Sequence, residues 1–198
     1  MAVCNVMVRA VLPRIAFVDE SETPYADGPG AYLLAAALVP NDVQAEARAR
    51  MSGLRRSGRT KAHWHDARTR SEKRTLVDAV VEIPIRTLVV VRVDDPEMRT
   101  ERRRRLCLER LLFELQQRGI AEIVAESRGP GDRHDLDHLQ ALRSQKRVTT
   151  ELRLRHLPGP VEPLLWIPDV VCGAVRQARL GDDQYLRQLA PSVDIVQC

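Results

Sequence analysis

The chain of 198 residues is poor in aromatics, which make up 4% of it. Proteins that hold single strands without reading their sequence stack the bases on aromatic platforms. The scarcity argues against a dedicated single-strand binding module. Lysine is scarcer still: of 31 basic residues only Lys61, Lys73 and Lys146 are lysine, and the rest are arginine. Arginine grips phosphate bidentately where lysine offers a point charge. No apolar run approaches the roughly 20 residues of a membrane helix, and the longest, Ala31 to Val39, is strand-sized. The first basic residue, Arg9, follows the apolar residues instead of preceding them, and no small-residue cleavage site comes after. That is not a signal-peptide layout, so a cytoplasmic protein without a membrane partner is expected. None of Cys4, Cys107, Cys172 and Cys198 forms a Cys-x-x-Cys pair or has a histidine at zinc-ligand spacing. Cys107 and Cys172 lie in apolar stretches and read as small core residues. There is no P-loop, Gly-x-Gly-x-x-Gly or Gly-x-Ser-x-Gly, and no internal repeat.

What is present suits one globular domain. The apolar fraction is 44%, the charged fraction 29%, the net charge +4 and the pI about 9.1. Such a balance permits a polyanionic partner without demanding one. Residues 1–13 read as an N-terminal extension and 14–198 as a single domain with a helical insertion at about 41–83. Arg14 to Val18 reads as a strand, followed by Asp19 and Glu20 and by a loop marked by Pro24, Gly28, Pro29 and Gly30. Tyr32 to Val39 is a second strand. A helix follows to about Met51, then a polar segment from Ser52 to Asp66, then a helix from Ser71 to Val81. Arg86 to Val93 is a third strand, apolar enough to be buried on both faces. Leu108, Leu111, Leu112 and Leu115 repeat at helical spacing, and Gly119 ends that helix. Ile120 to Ala125 is a fourth strand and Glu151 to Leu157 a fifth, with a helix from about Asp135 to Arg147 between them. Helices at about 168–178 and 183–189 and a strand from Val193 to Val196 close the chain.

This order predicts an α/β ribonuclease-H-like fold: an antiparallel meander of three strands, extended by parallel strands through right-handed crossover helices. A Rossmann-like sheet would want a Gly-rich turn opening into a helix after the first strand. Acids and another strand stand there instead. In the predicted fold the first and fourth strands are parallel neighbours. Their C-terminal ends would bring Asp19 beside Glu126, and the helix that Asp169 opens would cross the same edge. Carboxylates gathered in this way repel unless a cation lies between them. Mg²⁺ or Mn²⁺ suits oxygen ligands, and two such ions about 3.5–4 Å apart can activate a water and stabilise the leaving oxygen of a phosphodiester. Asp19, Glu126 and Asp169 are therefore candidate metal ligands and catalytic residues, with nucleic acid as the partner. Taken singly, each acid also fits a solvated loop or helix start. Glu20, pointing away from Asp19 by strand alternation, either reaches the site from a bend or pairs with an arginine. Asp132, Asp135 and Asp137, crowded after Glu126, either lend a further ligand or form a solvated helix start, and the helix start is the first reading.

In extended backbone Lys61, His63 and His65 would share a face with Trp64 opposite. That face would contact substrate phosphate or donate a proton, or else belong to a polar loop around a buried tryptophan. His134 and His138, without the Glu of a His-Glu-x-x-His motif, read as a solvated face. So do Arg102 to Arg105, with Glu97, Glu101 and Glu109 as partners.

Phe-Val-Asp-Glu-Ser at 17–21, the apolar strand at 32–39, Lys-x-His at 61–63 and Leu-Trp-Ile-Pro-Asp-Val-Val-Cys-Gly-Ala at 165–174 together resemble a bacterial family, the domain of unknown function 3800. The resemblance runs from Arg14 onward. It implies a ribonuclease-H-like nuclease, a metal-site role for Asp19 and Asp169, and more loosely one for Glu20 and Lys61. Two positions depart from the family pattern: Glu22 stands where glycine is usual, and Glu126 where aspartate is. The reading is a metal-dependent nuclease; its alternative is a non-catalytic relative that binds nucleic acid or a protein partner.

Overall fold

The computed structural model describes residues 14–23, 30–93 and 98–198. The expected N-terminal extension, Cys4, most of the loop after the first two acids, and Glu97 lie outside them.

Six strands form one mixed sheet in the order β5-β4-β1-β2-β3-β6. β1 (Arg14–Thr23), β2 (Ala31–Pro40) and β3 (Arg86–Val93) make the antiparallel meander. β4 (Glu122–Glu126) lies parallel to β1 with Val18 opposite Ala125. β5 (Arg153–Leu157) continues in parallel beyond it, and β6 (Val193–Gln197) adds in parallel to β3. The fold is ribonuclease-H-like, as the element order predicts. β1 runs five residues past the expected end at Val18, because Asp19 to Thr23 keep pairing with β2. Their polarity reads as loop, but it serves what they face on either side of the sheet.

Between β2 and β3 lie α1 (Gln44–Gly53), a 3-10 turn (Trp64–Asp66) and α2 (Arg70–Val81). Thr69 and Glu72 close a reciprocal capping box at the start of α2. α3 (Thr100–Gln117), α4 (Asp132–Ser144), α5 (Trp166–Arg179) and α6 (Gln184–Leu189) are the other α-helices among the described residues. Gly119, at φ 69°, supplies the left-handed residue that ends α3.

Alternation along the strands divides the core in two. Phe17, Leu33, Val89 and Val124 face α1, α2, α5 and α6, and Trp64 and Trp166 lie in that layer. Val18, Leu34, Val90 and Ile123 face the leucine stripe of α3 and Leu139 and Leu142 of α4. Cys107 and Cys172 are fully buried, one in each layer. Among the described residues no helix is long and apolar enough to cross a membrane.

Two expectations on the α3 face are corrected. Arg103 and Arg104 do not lie on a solvated face: Arg104 is only 1% exposed. Asp135 is likewise no solvated helix start, at 2% exposed. Arg104 grips it bidentately, Nε to Oδ1 at 2.9 Å and Nη2 to Oδ2 at 2.6 Å. His156 Nε2 lies 3.0 Å from the same carboxylate. Burial alone would raise Asp135, but these hydrogen bonds and the charges of Arg104 and Arg128 carry it below the ordinary carboxylate range.

Candidate active site

Asp19 stands one residue past the last β1–β4 pair, on the face that Phe17 shares. Glu126 follows Ala125 at the end of β4 and, by alternation from Val124, uses the same face. α5 crosses this face, and its first turn carries Asp169. The Cys172 thiol, one turn further along α5, points at the Asp19 carbonyl at 3.8 Å. The helix is thereby fixed against the strand that bears the first acid.

Asp19 and Asp169 are each only 8% exposed. Burial pushes the Asp19 carboxyl well above its ordinary range, and the charges of Glu126, Asp169 and Glu20 push it further. The Glu20 N–H, donating to Asp19 Oδ1 at 2.8 Å, opposes the rise. Asp169 is raised too, by burial first; His63, Lys61 and a backbone donor pull it down while Glu126 adds to it. The three acids therefore feel one another's charge. The buried Oε2 of Glu126 has no hydrogen-bond partner.

The polar segment of the insertion reaches across to these acids. Lys61 Nζ donates to Glu126 Oε1 at 2.6 Å. Burial would lower Lys61, but Glu126, Asp19 and Asp169 together raise it. The Trp64 N–H donates to Asp169 Oδ2 at 2.7 Å, and His63 Nε2 stands 3.4 Å from Oδ1. His63 Nδ1 accepts from the His65 N–H at 3.0 Å, so its ring proton sits on Nε2, facing Asp169. Two glycines make room. A Cβ on Gly173 would fall 2.1 Å from the Trp64 ring, and a Cβ on Gly159 would fall 2.3 Å from Glu126 Oε1.

Five of the residues singled out in the sequence thus meet here: Asp19, Glu126, Asp169, Lys61 and His63. Two do not. The backbone turns into a 3-10 helix at Trp64, which breaks the extended alternation and leaves His65 exposed. Glu20 lies on the opposite sheet face, bound to Arg104 and, at 3.7 Å, to Arg128. One feature has no sequence signature of its own, the Trp64 N–H that holds Asp169; Gly173, beneath the Trp64 ring, stands in the segment 165–174 but is not singled out there.

The donor set suits a hard divalent cation. It consists of carboxylate oxygens that repel one another, one of them buried and unpartnered. Among the described residues, however, no three histidine, cysteine or carboxylate side chains stand ready as a ligand group. Glu126 is turned to Lys61.

No family model matches the chain, and no curated protein matches it. Solved structures do. A chain from the PCNA:RNase HII complex of Archaeoglobus fulgidus superposes with a TM-score of 0.54 at 14% identity, covering 84% of this chain and 73% of that one. Bst-RNase HIII in complex with Mn²⁺ gives 0.52 at 17% identity, over 91% of this chain and 56% of that one. A mutant form of Bst-RNase HIII gives 0.53 at 17%, over 91% and 55%. The chain thus spans little more than half the length of the RNase HIII chains. At these identities the likeness shows the ribonuclease-H-like fold.

Proposed function

We propose that this protein is a metal-dependent nuclease that hydrolyses phosphodiesters in the cytoplasm, with Asp19, Glu126 and Asp169 holding Mg²⁺ or Mn²⁺. The same reading carries membership of the domain of unknown function 3800 family. The observation that supports it most is the convergence of three buried or half-buried carboxylates at the ends of two adjacent parallel strands and the start of α5. A cation between them would give that placement a chemical purpose, whereas the mutual repulsion of three acids by itself only costs stability.

The bound cation would supply an activated water and a counter-charge for the phosphodiester oxygens. The chain's own residues do the rest. The Trp64 N–H and His63 keep Asp169 oriented. The His63 Nε2 proton faces the site, where it can be held toward a leaving oxygen. Lys61 balances the acids and offers an ammonium to an incoming phosphate.

The test pairs cleavage with stability. Asp169→Asn should abolish Mn²⁺-dependent cleavage of mixed DNA and RNA substrates and leave the metal-free protein at least as stable as wild type. If Asp169 served only the helix dipole, the variant would lose about 0.3–1 kcal/mol and stay active. The non-catalytic alternative is favoured by one observation, the Lys61 ammonium already seated on Glu126. Mn²⁺ that neither binds nor raises the melting temperature would decide for it.

A further inference from the structure

A cavity of about 250 Å³ opens beside the acids, between the end of α1 and the first turns of α2. Leu54, Ala62, Ala67 and Leu76 give it apolar walls. The exposed Arg56 and Arg59 also line it, as do Asp66 and Glu72. Lys61 and His63 line it and also touch Glu126 and Asp169, so one layer of side chains separates it from the carboxylates. Arg56 reaches Glu72 at 2.8 Å and Arg59 reaches Asp66 at 3.5 Å, both through exposed ion pairs. Exposed pairs of this kind are weak, and a phosphate can replace either carboxylate as the arginine's partner.

We propose that this cavity receives one unpaired nucleotide of the substrate strand, next to the phosphodiester at the acids. The inference rests on the nuclease reading above and names its substrate class: nucleic acid that is single-stranded, or flapped, at the cut. Two observations and one geometric consequence point there. The volume lies below the roughly 300–1,000 Å³ of drug-sized sites, enough for one base and not for a stacked pair. Part of the wall is apolar, as a base face requires, and Arg56, Arg59 and Lys61 against Asp66 and Glu72 leave the rest of the lining with a small excess of positive charge for a phosphate. Finally, a base inside a cavity cannot remain paired in a duplex, as in enzymes that act on extruded bases. A chain so poor in aromatics has few platforms on which to stack an unpaired base, and a half-open cavity with apolar walls can take their place.

Binding is measured first without metal, so that it does not depend on catalysis. Nucleoside 5′-monophosphates, ribose 5-phosphate and inorganic phosphate are titrated calorimetrically into the wild-type protein and into Arg56→Ala/Arg59→Ala. Both arginines are exposed, so the double variant should fold. The expected result is mononucleotide binding at least tenfold tighter than that of either base-free phosphate, weakened about tenfold or more in the variant. No mononucleotide binding, or equal binding of nucleotide and phosphate, would overturn the proposal. Cleavage in Mn²⁺ is then compared between a full duplex and the same duplex with one unpaired nucleotide at a defined position. Faster cutting beside the unpaired nucleotide supports the cavity; equal cutting overturns it and leaves the nuclease reading standing. Mononucleotide binding in a protein that cuts nothing supports the cavity and removes the nuclease reading.

Discussion

Trp64 and Asp169 lie 105 residues apart and are joined by a 2.7 Å hydrogen bond from the tryptophan's backbone N–H to the aspartate's Oδ2. The bond depends on a void in α5. Gly173, one turn beyond Asp169, has no side chain, and the Trp64 ring fills the space where a Cβ would stand. A helix interior normally disfavours glycine relative to alanine by about 1 kcal/mol. Here the ring imposes it.

Gly173→Ala should therefore destabilise, against the usual sign for a helix. Overpacking of this kind costs about 1–3 kcal/mol, to be read from urea unfolding. Because the displaced ring takes its N–H away from Asp169, Mn²⁺ affinity should also fall, by roughly tenfold or more. Gly53→Ala is the control, since nothing lies within 4 Å of the Cβ it would gain. A Gly173→Ala protein as stable as that control would mean that the ring moves freely.

Asp19 predicts a pH dependence. Its folded pKa lies above the ordinary aspartate value of 3.8, so ionisation is harder in the folded state than in the unfolded one. The resulting penalty is complete above the raised value, shrinks as pH falls through it, and is gone below the unfolded value. A pKa difference of one corresponds to about 1.4 kcal/mol. Metal-free Asp19→Asn should then be more stable than wild type at neutral pH, and the two should converge as pH nears the ordinary carboxylate range. Chemical denaturation across that range checks the sign. An advantage for Asp19→Asn that grew with acid would contradict the burial and repulsion assigned to this carboxyl.

Lys61→Met separates two effects that most substitutions mix. Without the ammonium the metal-free acids lose their counter-charge, so the protein should melt at a lower temperature. A competing cation has also gone, so Mn²⁺ should bind more tightly. Two charges 4 Å apart at an effective dielectric of 20 interact by about 4 kcal/mol. A gain of roughly tenfold in affinity, about 1.4 kcal/mol, is a modest share of that. Calorimetric titration beside melting curves reads both signs. Unchanged affinity would show that Lys61 does not contend with the metal for Glu126.

How much of the molecule is legible in its sequence depends on the range over which each residue acts. The leucine stripe of α3, the apolar run of β3 and the acids closing β1 and β4 are local patterns, and they lead to the sheet order and to the meeting of Asp19 with Glu126. Lys61 and His63 are legible as an extended pair. His65 is not, because the 3-10 turn at Trp64 is selected by the ring's burial under α5 and not by its neighbours in sequence. The four arginines opening α3 look alike. Only the fold distinguishes Arg104, since its partners Asp135 and Glu20 come from α4 and β1. Spacing along a helix shows which residues share a side of it, but not that an acid 31 positions later will be buried against one of them.

The contact between Cys172 and Asp19 spans 153 residues. A ribosome adding about 5–20 residues per second needs roughly 8–30 s to make that stretch. During that time β1 can pair with β2 and later with β4, and β2 with β3, but the face bearing Asp19 has no α5 to cover it and no Asp169 beside it. The acid centre is therefore among the last parts of the molecule to exist. A growing chain still attached to its message carries five strands of the sheet before it carries the site, and only β6 comes later.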